Sequence, residues 1–225
     1  MRVLTSVLAG VVMIVGTLVP LAARAGSAAG QAPAAQKAPA GAKPPGSSAR
    51  PLVSAKPADT QVAPPGTPSP GAGPIVVVET EKGTIEFETY PNEAPKSVAH
   101  ILALVNKKFY NGQRVHRMVP GFVVQFGDPM TRDMTKRDDW GRGSSGTPVG
   151  VAEFSKLRTH VKGAVALAHA GDASQADSQM YFCLNDTHRL DGTYTVIGKV
   201  ITGMDVVARM GVEDRLIRVT VKAAK

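Results

Sequence analysis

Residues 74–225 are predicted to form a mainly β domain, a closed eight-stranded antiparallel β-barrel capped by two helices. Three observations predict it. Short runs rich in valine, isoleucine and aromatic residues recur here, separated by Gly, Asn and Asp turn signals. Two stretches, 97–107 and 202–210, instead carry apolar residues at helical spacing. Residues 1–73 contain no aromatic side chain and are dominated by Ala, Pro, Gly and Ser, so only the later part of the chain, about 150 residues, can build one well-buried core.

The elements follow in order. Ile75–Thr80 and 84–89 read as a hairpin turning at Lys82-Gly83, with Ile85 and Phe87 alternating against Glu86 and Glu88. Asn92 is the expected cap of the first helix, whose stripe is Val98, Ile101, Leu102 and Val105. Runs 115–118 and 122–126 form a second hairpin, because Pro120 and Gly121 suit the centre of a type II turn. Residues 128–150 read as a charged, glycine-rich loop, with Trp140 either pinning it or contacting a ligand. Strands are expected at 163–168, 179–184 and 194–200, then the second helix, then a closing strand Leu216–Val221. Cys183, the sole cysteine, lies in an apolar strand and reads as a small core residue.

The leader divides in two. Arg2, an apolar run over 3–22 and Ala23-Arg24-Ala25 describe a secretory signal peptide over 1–25. The alternative is an uncleaved anchor, since about twenty apolar residues can span a bilayer. Either way the domain is expected to be exported, to a periplasm or the extracellular space, and to meet a membrane only through residues 3–22. Residues 26–73 read as a Pro/Ala-rich disordered linker, unable to bury enough surface to offset its ordering entropy. Arg2, Arg24, Lys37, Lys43, Arg50 and Lys56 against Asp59 put five of the eight net positive charges in this leader. The domain itself has no clustered basic face, which argues against nucleic-acid binding. The histidines show no metal-ligand spacing, so neither a metal nor a cofactor is expected.

The second hairpin carries the chemistry. It sets Arg117 close to Phe122 and Gln125 within otherwise apolar strands, and a guanidinium in such a place needs a partner. His116, Arg117, Pro120, Gly121, Phe122, Gln125, Gly127 and Asp128 fall in register with Phe-His-Arg-x-x-Pro-Gly-Phe-x-x-Gln-x-Gly-Asp, and the stretch resembles the signature of the cyclophilin-type peptidyl-prolyl isomerases. Val115 replaces the usual first aromatic. Ser178-Gln179-Met180-Tyr181-Phe182, Leu190-Asp191-Gly192 and the run 163–169 resemble further family segments, so the likeness covers the whole of 74–225.

The resemblance implies a cyclophilin-like barrel with a proline-binding groove and no cofactor. It implies Arg117, Phe122 and Gln125 as catalytic residues, and Ala168, His169, Gln179, Tyr181, Leu190 and Tyr194 as substrate-binding residues. Rotating an X-Pro amide breaks its resonance against a barrier of ~18–20 kcal/mol. An arginine donor can bond the pyramidal proline nitrogen better in the twisted state than in the planar one. Gln125 could hold the substrate carbonyl or orient Arg117, while His116 points away along the strand as a structural residue. Tyr181 and Met180 depart from the family's phenylalanines, and Arg189 stands where many members carry tryptophan, which implies weak cyclosporin sensitivity. The implied partners are proline-containing peptides and unfolded proteins, met by a monomer that assists the folding of exported chains. Two other readings stay open: a groove that only binds prolyl peptides, and a basic protein held to a membrane or wall by its leader.

Overall fold

A computed structural model of the chain describes residues 66–222. The expected signal peptide, and the expected linker up to residue 65, lie outside the described residues. Strands β1 (Ile75–Thr80) and β2 (Gly83–Thr89) form the first hairpin, in register from Ile75 opposite Glu88 to Thr80 opposite Gly83. Its loop is Glu81-Lys82, one residue earlier than expected. The Thr80 hydroxyl fixes it by donating to the Gly83 carbonyl at 2.8 Å while accepting from the Lys82 N–H at 3.1 Å.

Helix α1 spans Pro95–Asn106 and buries Val98, Ile101, Leu104 and Val105. It begins after Ala94, and Asn92 does not cap it. The carboxylate of Glu153, distant in sequence, accepts from the N–H groups of Lys96 at 3.1 Å and Ser97 at 2.8 Å. A cap supplied by tertiary contact leaves no local trace in the sequence.

Strands β3 (Arg117–Val119) and β4 (Val123–Phe126) flank the expected turn. The Phe122 N–H donates to the Val119 carbonyl at 3.0 Å, and Gly121 takes φ +68°, the left-handed value that a type II turn requires. The remaining elements are β5 (Ala164–Leu167), β6 (Met180–Cys183), β7 (Val196–Thr202), α2 (Met204–Arg209) and β8 (Leu216–Val221). All pairings are antiparallel, in the order β3-β4-β6-β5-β7-β2-β1-β8.

The eight strands curl strongly, but the ladder does not close as expected. Edge strands β3 and β8 are not paired with each other. The segment before β3 leans on the start of β8 and the residue before it, through one Arg114–Arg215 bridge and two bonds to Leu216, Gly112 N–H to the Leu216 carbonyl and Leu216 N–H to the Gln113 carbonyl, each 2.8 Å. Between the ladder's ends, then, irregular chain replaces a strand pair.

Alternation divides the side chains between two faces. Ile85, Phe87, Val124, Phe126, Val165, Phe182 and Ile197 pack with α1 in the main core. Val123, Ala164, Ala166, Tyr181, Cys183 and Val196 form a second, smaller cluster on the opposite face, joined by Tyr90. Burial pushes the Cys183 thiol up to about 12, in keeping with its reading as an inert core residue. Glu88 departs from simple alternation. It is fully buried, because Ser69 of the preceding segment and the Tyr90 hydroxyl, at 2.8 Å, both donate to its carboxylate.

Candidate active site

Strand register builds the site. Arg117 lies opposite Gln125, Gln125 opposite Tyr181, Tyr181 opposite Ala166, and Ala166 opposite Val196. Directly opposed residues share a face, so this row sets one arginine at the end of a floor of small and aromatic side chains. Phe122 precedes β4 and is swung by the turn, so strand alternation does not govern it. It lines the same groove, with the Arg117 guanidinium 5.9 Å from its ring centre.

The groove measures about 200 Å³ and is lined by Arg117, Phe122, Gln125, Ala168, His169, Tyr181, Leu190 and Tyr194, together with Val123. Val123 was not among the expected site residues, although alternation with Gln125 was the signal that could have found it. Gln179 lies beside this groove, lining a neighbouring cleft of about 420 Å³ formed with the loop residues Gly141, Arg142 and Gly143.

Three side chains are joined in a directed relay. Gln179 Nε2 donates to the carbonyls of Gly141 and Gly143, each at 2.8 Å. Only an amide nitrogen can face two carbonyl oxygens, so Gln179 Oε1 must point to Gln125, whose Nε2 donates to it at 2.9 Å. Gln125 Oε1 is thereby left to accept from Arg117 Nη1 at 3.3 Å. Gln125 thus gives Arg117 an acceptor, the contact that an orienting role requires.

The loop after Gly127 supplies the fixed end of that relay. Two buried carboxylates hold it. Asp128 accepts from the N–H groups of Met130 at 2.7 Å and Gly141 at 2.5 Å. Asp177 accepts from the Ser145 hydroxyl at 2.5 Å, the Gly146 N–H at 2.9 Å and His100 Nε2 at 2.9 Å. Trp140 Nε1–H donates to the Asp133 carbonyl at 3.2 Å within the same loop, and the indole lines neither cleft. Nothing in sequence spacing pointed to Gly141 and Gly143, because they act through backbone carbonyls that any residue possesses.

A second network holds the floor. Asp191 Oδ1 lies 2.7 Å from His160 Nδ1, and His160 Nε2 lies 3.1 Å from the Tyr181 hydroxyl. Since Asp191 can only accept, the proton resides on Nδ1 and the tyrosine donates to Nε2. Burial holds His160 below its ordinary value of 6.5, against the opposing pull of Asp191. Burial also raises Tyr181 far above the usual phenol range, so it stays a neutral donor. Asp191 is raised by burial, yet its hydrogen bonds with His160 and His188 outweigh this and hold it low. His169 Nε2 lies 2.9 Å from the Thr193 carbonyl, and its ring centre lies 4.4 Å from that of Tyr194. His116 sits beneath the loop at Gly141, outside the groove lining, and burial depresses its pKa.

Comparison with known proteins identifies the family. The profile of the family described as cyclophilin type peptidyl-prolyl cis-trans isomerase/CLD matches residues 75–222. A probable peptidyl-prolyl cis-trans isomerase of Brucella abortus is 38% identical over 162 residues, covering 66% of this chain and 82% of the relative. Peptidyl-prolyl cis-trans isomerase B of Bacillus subtilis is 36% identical over 138 residues, covering 61% and 90%. A crystal structure of a Cryptosporidium parvum cyclophilin type isomerase shares the fold at TM-score 0.60 and 21% identity, covering 68% of this chain and 99% of its own. A second structure of that protein, obtained in the presence of the dipeptide Ala-Pro, gives TM-score 0.59 over 67% and 99% at the same identity of 21%. Arg117, its supporting amides and the apolar floor thus lie within a matched region, and the chain belongs to the cyclophilin-type peptidyl-prolyl cis-trans isomerases.

Proposed function

We propose that this isomerase turns over X-Pro bonds in the groove beside Arg117, with Arg117, Phe122 and Gln125 as the catalytic group, and that it acts on exported proteins during their folding. The observation that carries the site is the relay from the loop carbonyls through Gln179 and Gln125 to Arg117. An arginine held in advance at the edge of an apolar seat needs no reorganisation when the amide twists. Phe122, Tyr181, Leu190 and Val123 supply that seat for the pyrrolidine ring. As the amide leaves planarity, the proline nitrogen gains a lone pair, and a guanidinium N–H can donate to it. That bond is weak to the planar nitrogen and strong to the pyramidal one, so it lowers the barrier without trapping substrate. Ala168, His169, Gln179 and Tyr194 complete the walls along which the peptide backbone runs. No proton transfer or covalent intermediate enters the reaction.

The test follows the cis/trans relaxation of an Ala-Pro-containing peptide with the full chain and with Arg117→Ala. Loss of a preorganised donor is expected to lower kcat/KM by roughly 10²–10³. Activity surviving in the variant would keep the isomerase and remove Arg117 from its mechanism. A folded wild-type protein without activity would leave a prolyl-peptide binder. The export reading rests on residues 1–25 and is tested by sequencing the secreted protein, which should begin at Gly26. Protein found only inside the cell would overturn it.

A further inference from the structure

Arg189 lies in the short turn His188–Leu190, exposed at the groove mouth, with its guanidinium 4.6 Å from the centre of the Phe122 ring. Arg117 approaches the same ring at 5.9 Å. Elsewhere Arg137, Arg142, Arg158, Arg209 and Arg218 each pair with a carboxylate. Among the described residues neither Arg117 nor Arg189 has such a partner, and no carboxylate lines the groove. The nearest acid in sequence, Asp191, is already engaged by His160 and His188. Asp186 accepts from the Lys162 N–H at 2.7 Å. Two guanidinium groups therefore flank one aromatic ring with their charge uncompensated, beside apolar walls that concentrate the field.

We propose that Arg189 is a specificity residue that selects prolyl peptides carrying an aspartate or glutamate within two residues of the proline. The inference rests on the isomerase reading of this groove. Stacking on Phe122 holds the guanidinium in place, so capturing a carboxylate costs little further ordering. The planar fork then meets a carboxylate with two parallel donors. Reach fits as well. A proline packed on Phe122 has its first and second neighbours displaced by ~3.3–3.6 Å per residue along an extended chain, so a carboxylate side chain there can come to a guanidinium held 4.6 Å from the centre of the same ring.

The test measures kcat/KM of the full chain on peptides with Glu, Gln or Lys placed one or two positions to either side of the proline. At low salt one placement should favour Glu over Gln by about two- to fivefold, the range of an exposed ion pair. The preference should collapse at about 1 M salt, where the screening length is ~3 Å. Arg189→Gln should bring the ratio to one, and Arg189→Glu should invert it in favour of Lys. Equal turnover of Glu and Gln peptides by the wild type would overturn the role of Arg189 while leaving the isomerase intact. An acidic preference that persists in Arg189→Gln would overturn it too, assigning the effect to Arg117. No turnover of any peptide would fail the isomerase reading itself, and this inference with it.

Discussion

The amide of Gln179 has only one satisfactory orientation, and that fact propagates across the groove to Arg117. Replacing Gln179 with leucine keeps its approximate volume but leaves the Gly141 and Gly143 carbonyls and Gln125 Nε2 without their partner. Gln125 is then free to rotate, and Arg117 loses its fixed acceptor. The expected outcome is a fall of about tenfold in kcat, the lower range for a misplaced catalytic group, with a smaller change in KM. Steady-state kinetics on one neutral peptide checks this, and a change confined to KM would make Gln179 a binding residue only. At this scale the sequence was informative where chemistry is carried by side chains within one hairpin. Arg117, Phe122 and Gln125 lie within nine positions, and their turn is legible from Pro120-Gly121. The partner amide of Gln179 is fifty-four residues from Gln125 in sequence, so only family likeness suggested it.

Among the elements, α1 shows how a local rule can be displaced. Asn92 looks like an N-terminal cap, yet the first turn is capped by Glu153 from across the molecule. Glu153→Ala should therefore cost about 1 kcal/mol, as loss of an ordinary side-chain cap does. Asn92→Ala should cost far less. Chemical denaturation of both variants separates the two, and a larger loss for Asn92→Ala would restore the local cap. The long loop after Gly127 follows the same logic. Its charged side chains are mostly exposed, as its composition suggests, while Asp128 and Asp177 bury their carboxylates against its backbone.

For the whole molecule, the folded unit reaches beyond the expected start at residue 74. Gly66 N–H donates to the Ile201 carbonyl at 2.6 Å, Gly73 N–H to the Thr89 carbonyl at 2.7 Å, and Ser69 to Glu88. A chain beginning at Pro74 would leave Glu88 without its Ser69 donors. The expected loss of roughly 1.5–3 kcal/mol for hydrogen bonds to a charged group corresponds to a fall of roughly 3–12 °C in Tm. Thermal melts of chains starting at residues 66 and 74 test this, and equal melting would mean that the segment adds nothing. Stability should also depend on pH in a definite sense. Burial depresses both His116 and His160 below 6.5, so the unfolded chain binds more protons than the folded one just below that value. Their contribution is complete above about pH 6.5 and is lost as the pH falls through the depressed values. Tm should decline from pH 7 toward pH 5, and less steeply in His160→Gln; a flat profile would contradict the assignment.

Taken by itself, the sequence determined the strand count, both helices, the type II turn and the hairpin that joins Arg117, Phe122 and Gln125, because each rests on periodicity or on residues close in the chain. The groove residues themselves were expected only from the family likeness, because the register that sets Arg117 opposite Gln125 and Gln125 opposite Tyr181 joins β6 to the hairpin from far along the chain. Tertiary structure alone decided the open ladder between β3 and β8, the distant cap on α1, the burial of Glu88 and the loop carbonyls that hold Gln179. These depend on which polar groups meet across long separations. The physical reason is that a buried hydrogen-bonding group must be satisfied, but the sequence does not say which of many equivalent carbonyls or carboxylates will satisfy it.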